Sequence, residues 1–220
     1  MIEYVIGLDL GQAQDYSAFV VLKRCWWRGG EVPAPEHMRL WHQIDMMHRW
    51  AIGTDYPTIR QNVGELYASL DIESPGGVKL VVDQGGPGRP VVDLLRPYRP
   101  VGITITGGQR VNEKPDGSLT VPKRELCSAL VIAAQSGDVK VAVDHPLAKQ
   151  FDEEVGSFGY KVDLITGRES YESLQSRVHD DLVLAAAMAL FYSTKQLSTV
   201  FPLQRKPSVV ADMDYDPLAI

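Results

Sequence analysis

The segment that most constrains the fold runs from residue 78 to residue 83. It is an apolar run, VKLVV, that ends in Asp83, and the glycine-rich turn of residues 84–88 separates it from a short helical pattern. Such a run is typical of a strand buried on both faces, and the order strand, glycine turn, helix is typical of a parallel unit. The sequence therefore predicts an α/β fold in which this strand lies inside a central sheet.

The rest of the chain predicts further strands and helices by the same criteria. Residues 3–10 and 17–23 are apolar, rich in β-branched side chains and separated by a turn, which indicates a hairpin. Other predicted strands cover residues 38–44, 101–106 and 139–143, with a late hairpin over residues 160–170 and a protruding hairpin or long loop over residues 107–120. Predicted helices begin near Tyr56 and cover residues 90–96, 122–136, 146–154 and 180–194.

Length and composition predict one soluble domain. The 220 residues suit a single domain, which we expect to cover residues 1–198, and residues 199–220, with three prolines and no apolar period, are expected to form a flexible tail. No apolar run is long enough to span a membrane and no secretion signal begins the chain, so we expect a cytoplasmic protein, in the host cytoplasm if it is viral. Cys25 and Cys127 lack the spacing of a disulfide framework or a zinc site.

Charge limits how this chain can meet nucleic acid. A net charge of -6 excludes a protein that coats DNA through its overall field. Between residues 89 and 124, however, the chain has seven basic and three acidic residues. Within this stretch Arg89, Lys123 and Arg124 are candidates for phosphate contacts, which position DNA without reading its sequence.

Four aspartates stand where an α/β sheet would bring side chains together. Asp9 ends the first predicted strand, Asp83 ends the inner strand, and Asp180 and Asp181 open the last helix. Ligands of such sheets gather at the carboxyl ends of strands, and hydrolysis of a phosphodiester by two metal ions requires hard oxygen ligands. Each aspartate alone fits a turn or a helix cap equally well, but the ordered set indicates a metal-dependent nuclease.

Four motifs in this order resemble one family. They are Gly7-Leu8-Asp9-Leu10-Gly11 with Asp15, Val81-Val82-Asp83 before Gly85-Gly86 and Gly88, Thr106-Gly107-Gly108 before Val121-Pro122-Lys123, and His179-Asp180-Asp181-Leu182. From about Ile6 to about Leu190 the chain resembles the nuclease domains of phage terminase large subunits, which belong to the RNase H-like or RuvC-like superfamily. The resemblance implies a central mixed β-sheet flanked by helices.

The same resemblance implies an activity and partners. The activity is endonucleolytic cutting of double-stranded DNA during genome packaging, with two Mg²⁺ or Mn²⁺ ions. Implied protein partners are a packaging ATPase, a small terminase and a portal, and no membrane is involved. No GxxxxGK[ST] motif is present, so the motor would be a missing domain or a separate chain, and the sequence leaves both open.

Other charged side chains near these motifs allow more than one role. Asp15 completes a metal site, holds a ligating water or caps the turn. His179 binds phosphate or passes a proton to the leaving group, unless it only begins the helix. Adjacent helical residues point about 100° apart, and the Asp-x-Leu-x-x-Ala spacing favours Asp180 over Asp181 as the ligand.

Two other functions share some of these features. A RuvC-like Holliday-junction resolvase would have the same fold, acids and metals, and it would act as a dimer on branched DNA. An actin- or hexokinase-like nucleotide-binding protein would explain Leu8-Asp9-Leu10-Gly11 and Asp83-Gln84-Gly85-Gly86 as phosphate loops. That class needs two such subdomains, for which 220 residues are too few.

Overall fold

A computed structural model describes residues 3–11, 15–28, 38–85, 88–142, 144–162, 169–173 and 179–200. Its strands are β1 (Tyr4–Asp9), β2 (Ala18–Arg28), β3 (Met38–Arg49), β4 (Val78–Asp83), β5 (Val101–Thr106), β6 (Asn112–Glu113), β7 (Leu119–Pro122), β8 (Val139–Val141), β9 (Phe158–Val162) and β10 (Glu169–Ser173). Its helices are α1 (Tyr56–Glu73), α2 (Gly88–Leu94), α3 (Lys123–Gln135), α4 (Ala148–Ser157) and α5 (Asp181–Val200).

Eight of these strands form one mixed sheet in the order β6-β7-β5-β4-β1-β2-β3-β8. Strands β1, β4, β5 and β7 are parallel neighbours, whereas β2 is antiparallel to both β1 and β3. The predicted inner strand β4 therefore lies near the centre, and the predicted first hairpin is formed by β1 and β2. A separate pair, β9 and β10, forms the predicted late hairpin. The expected α/β fold, a central mixed sheet flanked by helices, is confirmed.

The two faces of the sheet bury different sets of side chains. Because side chains alternate along a strand, Val5 packs with α3, α4 and α5, while Tyr4 and Ile6 pack with α1 and α2. Each fully buried Val, Leu or Ile contributes about 1.5–3 kcal/mol through loss of apolar contact with water. Ten consecutive residues of α5, from Asp181 to Leu190, are buried, so this half of the helix is covered on all sides.

Helix α5 lies in close contact with the sheet at Gly7 on β1. A methyl group at Gly7 would overlap the carbonyl oxygen of Ala185 and would lie 2.9 Å from the carbonyl carbon of Ala185 and 3.1 Å from Cβ of Ala189. Backbone atoms cannot move aside as a flexible side chain can. Glycine at this position and alanines on the facing side of the helix therefore set the distance between α5 and β1.

Strand β3 contains one extra residue. Leu22 of β2 pairs with Ile44 and its neighbour Val21 pairs with Met46, so Asp45 is bulged out of the ladder. After such a bulge the alternation of side chains changes phase. As a result Ile44 and Met47, three residues apart, both pack into the core on the α5 face.

Several element boundaries differ from the prediction. Strands β2 and β3 continue beyond residues 23 and 44, because pairing with each other carries them past the apolar runs. Pro122 lies at the N-cap of α3 rather than at its first helical residue, and Asp180 precedes α5. Helix α5 ends at Val200, six residues beyond the predicted end at Thr194; residues 201–220 lie outside the described residues.

No helix within the described ranges is both long enough and apolar enough to span a membrane.

We predict that Gly7→Ala lowers the free energy of unfolding by about 1–3 kcal/mol, because the added methyl group meets backbone that cannot retreat. Urea unfolding followed by circular dichroism measures this change. Gly107→Ala is the matched control, since a methyl group at Gly107 meets nothing within 4 Å, and it should change the free energy by less than about 0.5 kcal/mol. Equal stability of the two variants would contradict the close approach of α5 to β1.

Candidate active site

The carboxyl ends of β1 and β4 bring Asp9 and Asp83 to the same edge of the sheet. Leu8 pairs with Val82 across these parallel strands, and the two aspartates are the next residue on each strand. Asp9 is 8% exposed and Asp83 is partly buried. The strand register therefore brings these two acids to one edge of the sheet, as the sequence predicts.

The start of α5 adds two more carboxylates to this edge. Asp181 is the first residue of the helix and is 5% exposed, whereas Asp180 precedes the helix and its carbonyl oxygen accepts a hydrogen bond from the Leu184 amide, 2.8 Å away. The helix reaches the sheet edge because it packs along β1 at Gly7. Acids that are far apart in sequence are thus gathered by one helix and two strands.

The negative charges of these acids shift one another's pKa values. Burial raises the pKa of Asp9 well above its ordinary value, and the negative charges of Asp83, Asp181 and Asp180 raise it further. Burial also raises the pKa of Asp83, although the Gly85 amide, which donates to its Oδ1 at 2.8 Å, opposes this. These carboxylates therefore form a group that is destabilised when all of its members are ionised.

Asp180 and Asp181 have different surroundings. The Lys123 ammonium donates to Oδ2 of Asp180 at 2.8 Å, and the two side chains are 29% and 28% exposed. Burial raises the pKa of Asp181 to about 6, while Arg49 and His179 lower it. Its Oδ2 is buried and accepts no hydrogen bond from any described residue. Asp181 is thus the more buried of the two aspartates, whereas the sequence spacing favoured Asp180 as the metal ligand.

The other predicted site residues lie at or beyond the rim. Asp15 is exposed, and it is not among the acids whose charges raise the pKa of Asp9. The ring of His179 meets the ring of Tyr16 edge-on, with 4.7 Å between centroids. Arg124 donates to the Gln109 carbonyl oxygen at 3.0 Å. Arg89 belongs to α2, but its side chain lies outside the described part of the structure. The roles predicted for these residues stay predictions.

Comparison with solved structures finds nucleases of large terminases. The large terminase nuclease from thermophilic phage G20c is 24% identical, with 87% of this chain and 81% of that chain covered and a TM-score of 0.53. The human cytomegalovirus terminase nuclease domain, Mn soaked, is 11% identical, with 86% and 83% covered and a TM-score of 0.50. This chain has the fold of a terminase nuclease domain.

A third solved structure is the g2p (large terminase) nuclease domain from bacteriophage SPP1 with bound Mn. It is 14% identical, the match covers 87% of this chain and 86% of that chain, and the TM-score is 0.48. No protein-family model matches the sequence, and no curated protein matches it either.

Within this terminase nuclease fold, the sequence prediction missed two charged residues beside the acids. Arg49 ends β3 and forms ion pairs with Glu154 of α4 and with Asp181, where Nη2 of Arg49 lies 3.3 Å from Oδ2. The predicted third strand ended at residue 44, so Arg49 was not placed at the sheet edge. Glu154 fell in a predicted helix with nothing to distinguish it from a solvated surface acid.

The acidic side chains of the described residues are not arranged as a complete metal site. Among the described residues, no three His, Cys, Asp or Glu side chains are arranged so that they could hold a metal ion. Strand register and mutual charge effects nevertheless make Asp9, Asp83 and Asp181 neighbours. Small side-chain rotations, together with water ligands of the kind that Mg²⁺ retains, would be needed to complete a coordination sphere.

We predict that, without metal at pH 8, Asp9→Asn raises Tm by about 2–4 °C, which corresponds to roughly 1 kcal/mol in a chain of this size. The folded-state pKa of Asp9 lies above its unfolded value, so wild-type stability is lost as pH rises through the folded pKa. Asparagine does not titrate there, and the difference should therefore shrink towards pH 5. Thermal melts in EDTA measure it.

The control for this comparison is Asp152→Asn, which alters an exposed acid on α4 and should shift Tm by less than about 1 °C at either pH. A lower Tm for Asp9→Asn than for wild type at pH 8 would show that the Asp9 carboxylate is not opposed by its acidic neighbours.

Proposed function

We propose that this chain is a metal-dependent endonuclease that hydrolyses DNA phosphodiester bonds, as the nuclease part of a large terminase that cuts concatemeric viral DNA during packaging. The observation that carries the proposal is the gathering of Asp9, Asp83 and Asp181 at the carboxyl edge of the sheet. The fold shared with the phage G20c and cytomegalovirus terminase nucleases supports it.

The chemistry of the side chains fits divalent metal. Asp9, Asp83 and Asp181 offer hard carboxylate oxygens, the ligands that Mg²⁺ and Mn²⁺ prefer. The buried Oδ2 of Asp181 accepts no hydrogen bond from the described residues, although the Arg49 guanidinium lies 3.3 Å away, and the charges of the neighbouring acids raise the pKa of Asp9. Both features would be relieved by a cation. The cytomegalovirus domain was soaked with Mn, which agrees with this choice of ion.

In the proposed mechanism, two bound Mg²⁺ or Mn²⁺ ions would supply an activated water and stabilisation of the leaving oxygen. Asp9, Asp83 and Asp181 would hold the ions, and Asp180 would lie beside them. The ring of His179, fixed against Tyr16, would donate a proton to the leaving oxygen. The Lys123 ammonium, which partly neutralises Asp180, is 29% exposed and so remains accessible to a DNA phosphate.

Double-stranded DNA is the proposed substrate, and a packaging ATPase, small terminase and portal are the proposed partners. The overall negative charge means that the chain would bind DNA only through a local basic surface. Weak binding by the isolated chain fits a nuclease to which a motor delivers DNA.

We predict that the protein nicks or cuts plasmid DNA with Mn²⁺ or Mg²⁺, with little sequence preference, and that EDTA abolishes the activity. Asp9→Asn and Asp83→Asn should each lower cleavage by more than about 100-fold while the chain stays folded, because each variant removes a metal ligand. Agarose-gel assays of supercoiled plasmid measure the rates. Asp152→Asn is the control and should cut like wild type. Cleavage that persists in EDTA would contradict the proposal.

We also predict that Arg124→Ala weakens binding to all DNA sequences alike and lowers the slope of log K against log salt by about 1, as the loss of one phosphate contact requires. Fluorescence anisotropy with two unrelated duplexes at several salt concentrations measures both. Lys79→Ala removes the same charge at the opposite end of β4 from Asp83 and should leave the slope unchanged. Loss of binding to only one of the two duplexes would contradict a phosphate contact.

A further inference from the structure

Three charged side chains from three different elements meet beside the acids. Arg49 comes from the end of β3, Glu154 from α4 and Asp181 from the start of α5. The Arg49 and Asp181 side chains are 9% and 7% exposed and that of Glu154 is 2% exposed. Charges are seldom buried to this extent without a partner, because removing each from water costs several kcal/mol.

Glu154 fixes the first turn of α5. Its Oε2 accepts hydrogen bonds from the amides of Leu182 and Val183, at 3.1 and 3.3 Å. These amides belong to the first turn of a helix, where backbone donors have no partner within the helix itself. A carboxylate from α4 thus caps α5 from outside and holds its first turn in place.

Arg49 joins this capping carboxylate to Asp181. Its Nη2 donates to Oε1 of Glu154 and also lies 3.3 Å from Oδ2 of Asp181. On its other side the guanidinium lies 4.9 Å from the centroid of the Tyr16 ring, a cation–π distance. Arg49 is therefore restrained by an aromatic ring and by two carboxylates, and one of these carboxylates, Asp181, is among the acids whose charges raise the pKa of Asp9.

We propose that Arg49 and Glu154 are positioning residues that hold the Asp181 carboxylate in the geometry needed to bind a divalent metal ion. This inference rests on the proposed function. Glu154 fixes the backbone that carries Asp181, and Arg49 restrains its side chain, so neither residue needs to touch the ion. Partners of this kind behind a metal ligand change metal affinity about 10–100-fold when they are removed.

The sign of the effect separates positioning from charge alone. Removing a positive charge beside a metal site strengthens the electrostatic attraction of a cation, so Arg49→Gln would bind Mn²⁺ more tightly if Arg49 acted only through its charge. If Arg49 positions Asp181, the same substitution weakens binding despite the more negative site. The direction of the change therefore tests the proposal directly.

The experiment titrates the full chain with Mn²⁺ and follows the electron paramagnetic resonance signal of free Mn²⁺. Arg49→Gln should weaken binding about tenfold. Arg49→Lys keeps the charge, but a compact ammonium on a flexible stem lacks the rigid planar guanidinium that lies against the Tyr16 ring, so it should also bind more weakly than wild type. Tighter or unchanged binding by Arg49→Gln would overturn the proposal, and if that variant does not fold, wild-type affinity in Arg49→Lys would do so.

A control variant separates metal affinity from general stability. Ile59→Val removes one buried methyl group on the α1 face of the sheet, and it should lower Tm while leaving Mn²⁺ affinity at the wild-type value. Weaker Mn²⁺ binding by Ile59→Val, equal to that of Arg49→Gln, would mean that lost stability alone explains the effect and would overturn the positioning role. A wild-type chain that binds no Mn²⁺ would instead overturn the proposed function and this inference with it.

Discussion

The close packing of α5 against β1 at Gly7 is the contact on which the site depends. Because Gly7 has no side chain and Ala185 and Ala189 have short ones, the helix lies against the strand with almost no intervening atoms. About one turn of helix, from Ala185 to Asp181, and two residues of strand then lead to the same edge of the sheet, where Asp181 and Asp9 lie together. A wider separation would leave a fold of the same topology whose acids were too far apart to share an ion.

This arrangement places buried negative charges together, and the surrounding structure offsets them only in part. Lys123 neutralises Asp180 near the surface, and Arg49 lies between Glu154 and Asp181 in the interior. Burial raises the pKa of Glu154 to about 7, and the charge of Arg49 opposes that rise. No described cation pairs with Asp9 in the same way. Repulsion among these acids lowers the stability of the metal-free chain, and a bound divalent ion would restore that stability.

The sequence predicted the parts of this structure that depend on local pattern. Three local patterns predicted elements that the structure contains: the apolar run before Asp83, the turn after Asp9 and the proline before α3. The ends of the predicted strands also indicated the sheet edge at which the acids lie. It did not predict Arg49 or Glu154, because their roles arise only when β3, α4 and α5 pack together. The spacing favoured Asp180 over Asp181 as the metal ligand, but spacing carries no information on tertiary burial, which makes Asp181 the more buried of the two.

The bulge at Asp45 lets β3 contain an extra residue without moving the charged side chain at its end. One extra residue turns the end of the strand by half a repeat, so Arg49 lies on the same face as α5. Deleting one residue at the bulge would leave a regular ladder in which Arg49 still pairs with Ala18, and its guanidinium would stay on the α5 face. Pairing the extra residue into the ladder would instead shift Arg49 by one position and send its side chain to the opposite face, among the side chains of α1. The strand therefore tolerates its extra residue only while that residue stays outside the ladder, and the bulge protects the register of the sheet edge rather than the length of the strand.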